Sequence, residues 1–124
     1  VGTPAAREMI DFIADRVWLA PGITDMRRSI DGLALVAQRV IGQDPMQPAL
    51  FVFCGRRRDR IKVLYWDVSG FWLLYRRLES GRFNWPATGA QAMCIDRRQF
   101  AWLLDGLSIE QRQAHRPVAA RAMA

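Results

Sequence analysis

The residues best suited to chemistry are a cationic cluster, Gly55-Arg56-Arg57-Arg58-Asp59-Arg60 followed by Lys62. Four arginines in five positions repel one another unless something anionic sits among them. The arginine guanidinium presents a planar fork of donors that matches the oxygens of a phosphate. Arg76, Arg77 and Arg82 follow downstream. Phosphate binding by the joint patch is one reading. The other is a solvated surface with Asp59 and Glu79 as local counter-ions. Arg27 and Arg28, next to Thr24 and Asp25, form a smaller group. They either help grip a phosphate at the start of a helix, or Thr24 and Asp25 simply cap that helix.

Catalytic chemistry has little support. His115 is the single histidine of the chain and has no partner motif. There is no glycine-rich phosphate loop and no paired-histidine metal motif. A metal-dependent nuclease needs clustered carboxylates. Asp59, Asp67 and Glu79 are the candidates, with no spacing signature behind them. Cys54 and Cys94 lack metal-type spacing and read as reduced thiols of a cytoplasmic protein. No metal, cofactor or catalytic residue is expected. Of the five tryptophans, Trp18, Trp66, Trp72 and Trp102 read as core. Trp85, before Pro86 and near Arg82, reads as an exposed aromatic on which an unpaired base could stack.

These residues must be held by something, and the stretch from Leu50 to Pro86 supplies it. Leu50–Phe53, Ile61–Trp66 and Phe71–Tyr75 are rich in Val, Ile, Phe, Tyr and Trp, which suit a pleated, packed surface. The arginine-dense turn joins the first two runs, and Asp67-Val68-Ser69-Gly70 joins the second and third. Turns this short make antiparallel neighbours. The expectation is a three-stranded meander with a cationic loop at one end and the end of the third strand, with Arg76 and Arg77, beside it. Both faces of this sheet are largely apolar. A helix must cover one; further chain or a partner must cover the other.

Val17-Trp18-Leu19, stopped by Pro21-Gly22, is expected to add a strand. Ile30, Leu33, Ala34, Ala37, Val40 and Ile41 recur at helical spacing, which predicts a helix from about Asp25 to Ile41 ended by Gly42 and Pro45. Gly32 in it implies either a close approach to a strand or ligand, or a helix regular only after that point. A short strand near Arg82–Trp85, another at Met93–Ile95, and a helix from Arg97 to Asp105 capped by Asp96 complete the pattern, with one more helical turn at 108–113. The fold class is therefore α+β: a small antiparallel meander of three to five strands packed against two main helices.

The chain has 124 residues, about half of them apolar (51 %), enough for one domain with one core. We assign residues 9–114 to that domain, with 9–15 as a helical turn or lead-in. Residues 1–8 read as a lead-in or cloning remnant without a secretion-signal core, and 115–124 as a flexible tail. No apolar run approaches the ~20 residues of a membrane span. The net charge is +6, and all but one of the 18 basic residues are Arg. Nucleic acid is the first candidate partner of such a domain and an acidic protein the second.

The residues also resemble a known family. Trp18-Leu19-Ala20-Pro21-Gly22, Thr24-Asp25-Met26-Arg27-Arg28 and Gly32-Leu33 are similar to the opening of the Orf-two-like TnpB accessory proteins of insertion-sequence family sixty-six. Phe51-Val52-Phe53, Gly55-Arg56-Arg57, Asp59, Ile61-Lys62-Val63-Leu64, Trp66-Asp67 and Gly70-Phe71 resemble its middle. Arg77-Leu78-Glu79, Gly81-Arg82-Phe83 and Trp85-Pro86 resemble its end. The resemblance spans residues 17–106. It implies a small protein encoded beside a larger transposase and associated with efficient transposition; that transposase and the DNA of the element ends become the expected partners. No catalytic residue is carried over from the family. The proposed phosphate contacts, Arg56, Arg57, Arg58, Arg60, Lys62, Arg76, Arg77 and Arg82, with Thr24, Arg27, Arg28 and Trp85 as secondary candidates, rest on residue type. An adaptor docking on the transposase with little DNA contact is the alternative.

Overall fold

The computed structural model describes residues 15–112. The assignments made for residues 1–14 and for the tail from 113 lie outside them. Among the described residues the chain forms β1 (Val17–Leu19), α1 (Ile30–Val36) continuing into a π-helical turn (Ala37–Ile41), β2 (Leu50–Cys54), β3 (Arg60–Trp66), β4 (Phe71–Arg77), β5 (Met93–Ile95) and α2 (Arg97–Leu104). The five strands form one sheet in the order β4-β3-β2-β1-β5. The fold is α+β.

The meander is as the apolar runs and short turns dictate. β2 pairs antiparallel with β3, and β3 with β4, with Cys54 opposite Ile61 and Arg60 opposite Arg77. The sheet as a whole is mixed, because β1 runs parallel to β2 with Val17 opposite Leu50. A parallel pair needs a long crossover, and the segment through α1 provides it. β5 then closes antiparallel on β1.

β2 lies at the centre, and all five of its residues are buried. Phe51 and Phe53 point to one face, where Leu33, Ala37 and Ile41 cover them along with Leu64. Leu50, Val52 and Cys54 point to the other, covered by Phe83, Trp85 and Ala87 and by Phe100 and Leu103 of α2. The second apolar face is thus roofed by further chain.

Local chemistry sets the helix ends. At α2, Asp96 accepts from the backbone N–H of Gln99, and the Gln99 side chain accepts from the Asp96 N–H, a reciprocal capping box. Helix α1 starts at Ile30, five residues later than the pattern suggests. The Asp25 carboxylate is spent on the Arg27 N–H at 2.9 Å and caps a tight turn instead of the helix. Gly32 lies inside the regular helix, which begins before it, and its α-carbon faces the Arg28 side chain and not a strand. Gly42 stops the segment in the left-handed region at φ 79°. Arg82–Trp85 is not a strand, and residues 108–112 form no helix.

Two of the tryptophans depart from expectation. Trp72 lies on the outermost strand and is 51 % exposed, its indole N–H donating to Asp67 at 2.5 Å. Trp85 is buried because Phe83-Asn84-Trp85 turns inward as part of the roof, so it offers no stacking platform. Trp102 is half-buried beneath the Arg98 guanidinium, 5.0 Å from its ring. Trp18 and Trp66 are half-buried, and Trp66 packs edge-on against Phe71.

The β3–β4 turn carries a strained residue. Val68 has φ 66°, and its peptide neighbours close a three-residue turn, Ser69 N–H to Asp67 C=O at 2.6 Å. A β-branched residue is a poor occupant of that region, costing roughly 1–3 kcal/mol. Val68 is 91 % exposed, so nothing is recovered by packing. Val68→Gly is expected to stabilise the domain by about 1 kcal/mol, raising its melting temperature by a few degrees. A lower melting temperature for this variant would show that the turn is not strained.

Candidate functional site

The loop from Gly55 to Arg60 is seated by main-chain bonds. Gly55 N–H donates to Arg60 C=O and Arg58 N–H to Gly55 C=O, each at 3.0 Å. Leu78 N–H reaches Asp59 C=O at 2.7 Å, and Phe83 N–H reaches Arg58 C=O at 2.6 Å. On the other side Thr24 N–H donates to Cys54 C=O at 2.8 Å, and Thr24 itself is buried. Met26 lies against Gly55 so closely that a β-carbon at 55 would come within 2.7 Å of it. Only glycine allows residues 24–27 to press on the arginine loop in this way.

Two grooves result. One, of about 840 Å³, is lined by Thr24, Asp25, Arg27, Arg56, Arg57, Asp59 and Arg60, among others. The second, of about 440 Å³, lies between Arg56, Arg57, Asp59 and Gly81-Arg82. Arg56 and Arg57 belong to both. Both are exposed, and no hydrogen bond or ion pair ties them down among the described residues. Five arginines from three separate segments therefore converge around two aspartates. Asp25 is neutralised by the Arg27 fork, Nε at 3.0 Å and Nη2 at 2.8 Å, which holds its carboxyl well below the usual carboxylate range. Asp59 Oδ1 and Arg60 Nε are 3.9 Å apart, too far for a hydrogen bond, and both atoms are buried without a hydrogen-bond partner among the described residues. The pair is thus a loose ion contact, with Asp59 and Arg60 both lining the larger groove.

The remaining candidates are placed differently. Arg58 turns away, in the left-handed region at φ 63°, and its Nη1 donates to Gly22 C=O at 3.1 Å, bolting two loops together. Beneath it burial pushes the Cys54 thiol pKa up, with Arg58 opposing. Lys62 donates to Arg28 C=O at 2.7 Å and lies 5.5 Å over the Tyr75 ring. Arg77 pairs with Glu79 at 2.8 Å. Arg77 is also cross-strand from Arg60, a like-charge pairing offset by Glu79 on Arg77 and Asp59 beside Arg60. Arg76, opposite Ile61, lines neither groove. Among the described residues no three His, Cys, Asp or Glu side chains come close enough to hold a metal ion, and no helix is long and apolar enough to cross a membrane.

The sequence separates the Thr24–Arg28 motif from the arginine loop by about the length of a helix and a strand. Only the parallel pairing of β1 with β2 reveals that Thr24 and Arg27 belong to the same groove as Arg56 and Arg57, and no local pattern signals it.

Comparison with known proteins adds a relationship. A family model described as IS66 Orf2 like protein matches residues 15–114. The chain is 42 % identical over 92 residues to uncharacterized protein y4hO of Sinorhizobium fredii (strain NGR234), covering 74 % of this chain and 80 % of that protein. It is 32 % identical over 105 residues to uncharacterized protein y4jC of the same organism, covering 82 % and 90 %. No solved structure gives a significant match.

Proposed function

Because the chain belongs to the IS66 Orf2-like family, which ties it to insertion-sequence transposition in an accessory role, we propose that it works non-catalytically by holding DNA through phosphates at the arginine loop. The observation that carries this reading is the convergence of Arg27, Arg56, Arg57, Arg60 and Arg82 on two grooves that meet at Arg56 and Arg57. The main-chain bonds order the loop backbone in advance, so the arginine side chains are what binding has left to order. Contacts of this kind position a protein on a duplex without reading its sequence. The element ends are the DNA it would meet, and the neighbouring transposase a second partner. The adaptor reading, which rests on an uncovered sheet face, is the alternative: the chain's own roof covers that face at β2, while β4 stays partly exposed.

The test is binding of the purified protein to labelled duplex DNA across a salt series. Affinity is expected to fall linearly on a log–log plot, with a slope of about 0.9 per phosphate neutralised. A slope of several supports the grip. Absence of binding at low salt overturns it and makes the transposase the next ligand to try.

A further inference from the structure

The outer edge of β4 is open. The bonds at the two ends of the β3–β4 hairpin fix which groups face outward. Asp67 N–H to Gly70 C=O at one end and Leu78 N–H to Asp59 C=O at the other set the antiparallel alternation. Trp72, Leu74 and Arg76 therefore turn their main-chain groups toward β3, while Phe71, Leu73, Tyr75 and Arg77 present theirs to the open side. The strand is seven residues long, and it has no proline and no charge before Arg76. Both of its faces are partly uncovered, with Trp72 51 % exposed on one and Tyr75 53 % on the other. Long apolar edges are normally shortened, charged or covered. The opposite edge, β5, has only three residues.

We propose that this edge pairs with the same edge of a second copy, antiparallel about a two-fold axis at Leu74. Self-complementarity selects that occupant. β4 is aromatic and apolar at its start and cationic at its end. Antiparallel pairing centred on Leu74 sets Arg76 of one copy opposite Trp72 of the other, where the indole face and the Asp67 carboxylate bound to it receive the guanidinium. Leu73 meets Tyr75, Phe71 meets Arg77, and all four outward-facing residues find main-chain partners. Parallel pairing would stack Arg76 on Arg76 and Arg77 on Arg77, which is unfavourable. In the resulting dimer the two Arg77 positions lie about 20 Å apart, at roughly 3.4 Å per residue, and the two arginine loops lie beyond them at opposite ends. A protein with two outward DNA contacts follows if the phosphate reading holds; the dimer itself does not depend on it.

Sedimentation of the full chain without DNA, across a concentration series, tests the pairing. The expected species has twice the 14.2 kDa chain mass, with dissociation on dilution. Tyr75→Pro removes an outward N–H and leaves the β3 bonds intact, so a folded monomer is expected at concentrations where the parent is dimeric. Leu74→Cys in a Cys94→Ser background gives a readout that does not rely on the proline variant folding. Directly opposed residues in a non-hydrogen-bonded pair have α-carbons about 4.5 Å apart, within disulfide range, so mild oxidation should yield a covalent dimer. The proposal is overturned if the parent chain stays at 14.2 kDa at about 100 μM and the Leu74→Cys variant forms no cross-link. Because DNA is absent from these measurements, that result would leave the phosphate reading standing. Conversely, a dimer that ignores duplex DNA would overturn only the phosphate reading.

Discussion

Replacing Arg56 and Arg57 together by glutamate is expected to weaken binding to duplex DNA by about thirtyfold or more at 0.15 M salt, while leaving the protein folded. Each phosphate contact contributes about 0.9 to the slope of log affinity against log salt. Losing two lowers that slope by roughly two, and at 0.15 M the counterions no longer released account for about thirtyfold. The introduced carboxylates add repulsion on top. The effect should be similar for element-end and random duplexes, because phosphate contacts carry no sequence information. The fold should tolerate the change. Both side chains are exposed and unattached among the described residues, and the loop is held by main-chain bonds. Arg16→Glu combined with Arg39→Glu is the charge-matched control, two exposed arginines that line neither groove. If the control weakens binding as much as the double variant, the effect is one of net charge and the loop assignment fails. An unchanged slope in the double variant would also remove it.

The largest expected loss of stability comes from Phe51→Ala. Phe51 is fully buried at the centre of the sheet, against the cluster formed with Leu33, Ala37 and Leu64. Truncating a buried phenylalanine costs about 3–5 kcal/mol, through lost transfer energy and the cavity left behind. Domains of this size have only about 5–15 kcal/mol in total. The variant should therefore unfold at a much lower denaturant concentration. Val40→Ala, at a half-exposed position on the outer side of the helical segment, should shift the midpoint by no more than about 0.5 kcal/mol. A Phe51→Ala loss below about 1 kcal/mol would mean the packing around β2 is not as described.

How far these residues announce their roles depends on whether the deciding contact is local. The meander follows from runs of β-favouring residues set between short polar turns, and α2 from Asp96 and Gln99 three positions apart. Both are short-range rules and both are met. The start of α1 is missed because Asp25 has two competing uses, and the nearby Arg27 N–H wins over a helix cap. Trp72 and Trp85 exchange expected roles because alternation along a strand says which face a residue occupies, but not whether anything lies over it. β4 is the last strand of the sheet, so Trp72 faces little, whereas the loop carrying Trp85 folds back over β2. At the candidate site the arginine loop is plain in the sequence. Its contact with Thr24 and Arg27, the diversion of Arg58 to Gly22, and the engagement of Lys62 by the Arg28 carbonyl all depend on long-range pairing.

The placement of β1 has a consequence for the order in which the chain acquires its structure. β2, β3 and β4 are joined by short turns and can zip together early, since closing a short loop costs little entropy. β1 must meet β2 across the whole α1 crossover, and β5 must meet β1 across nearly the whole described chain. Such distant pairings form slowly. Destabilising changes in the β3–β4 hairpin should therefore slow refolding, whereas changes in β1 or β5 should chiefly speed unfolding. Stopped-flow kinetics of Leu64→Ala and Ile95→Val would separate the two limbs, and a refolding rate cut equally by both would exclude this order. The late closure of β1 also means that, for a time during folding, β2 has an open edge beside an exposed row of apolar side chains. That interval is when the chain is most vulnerable to aggregation.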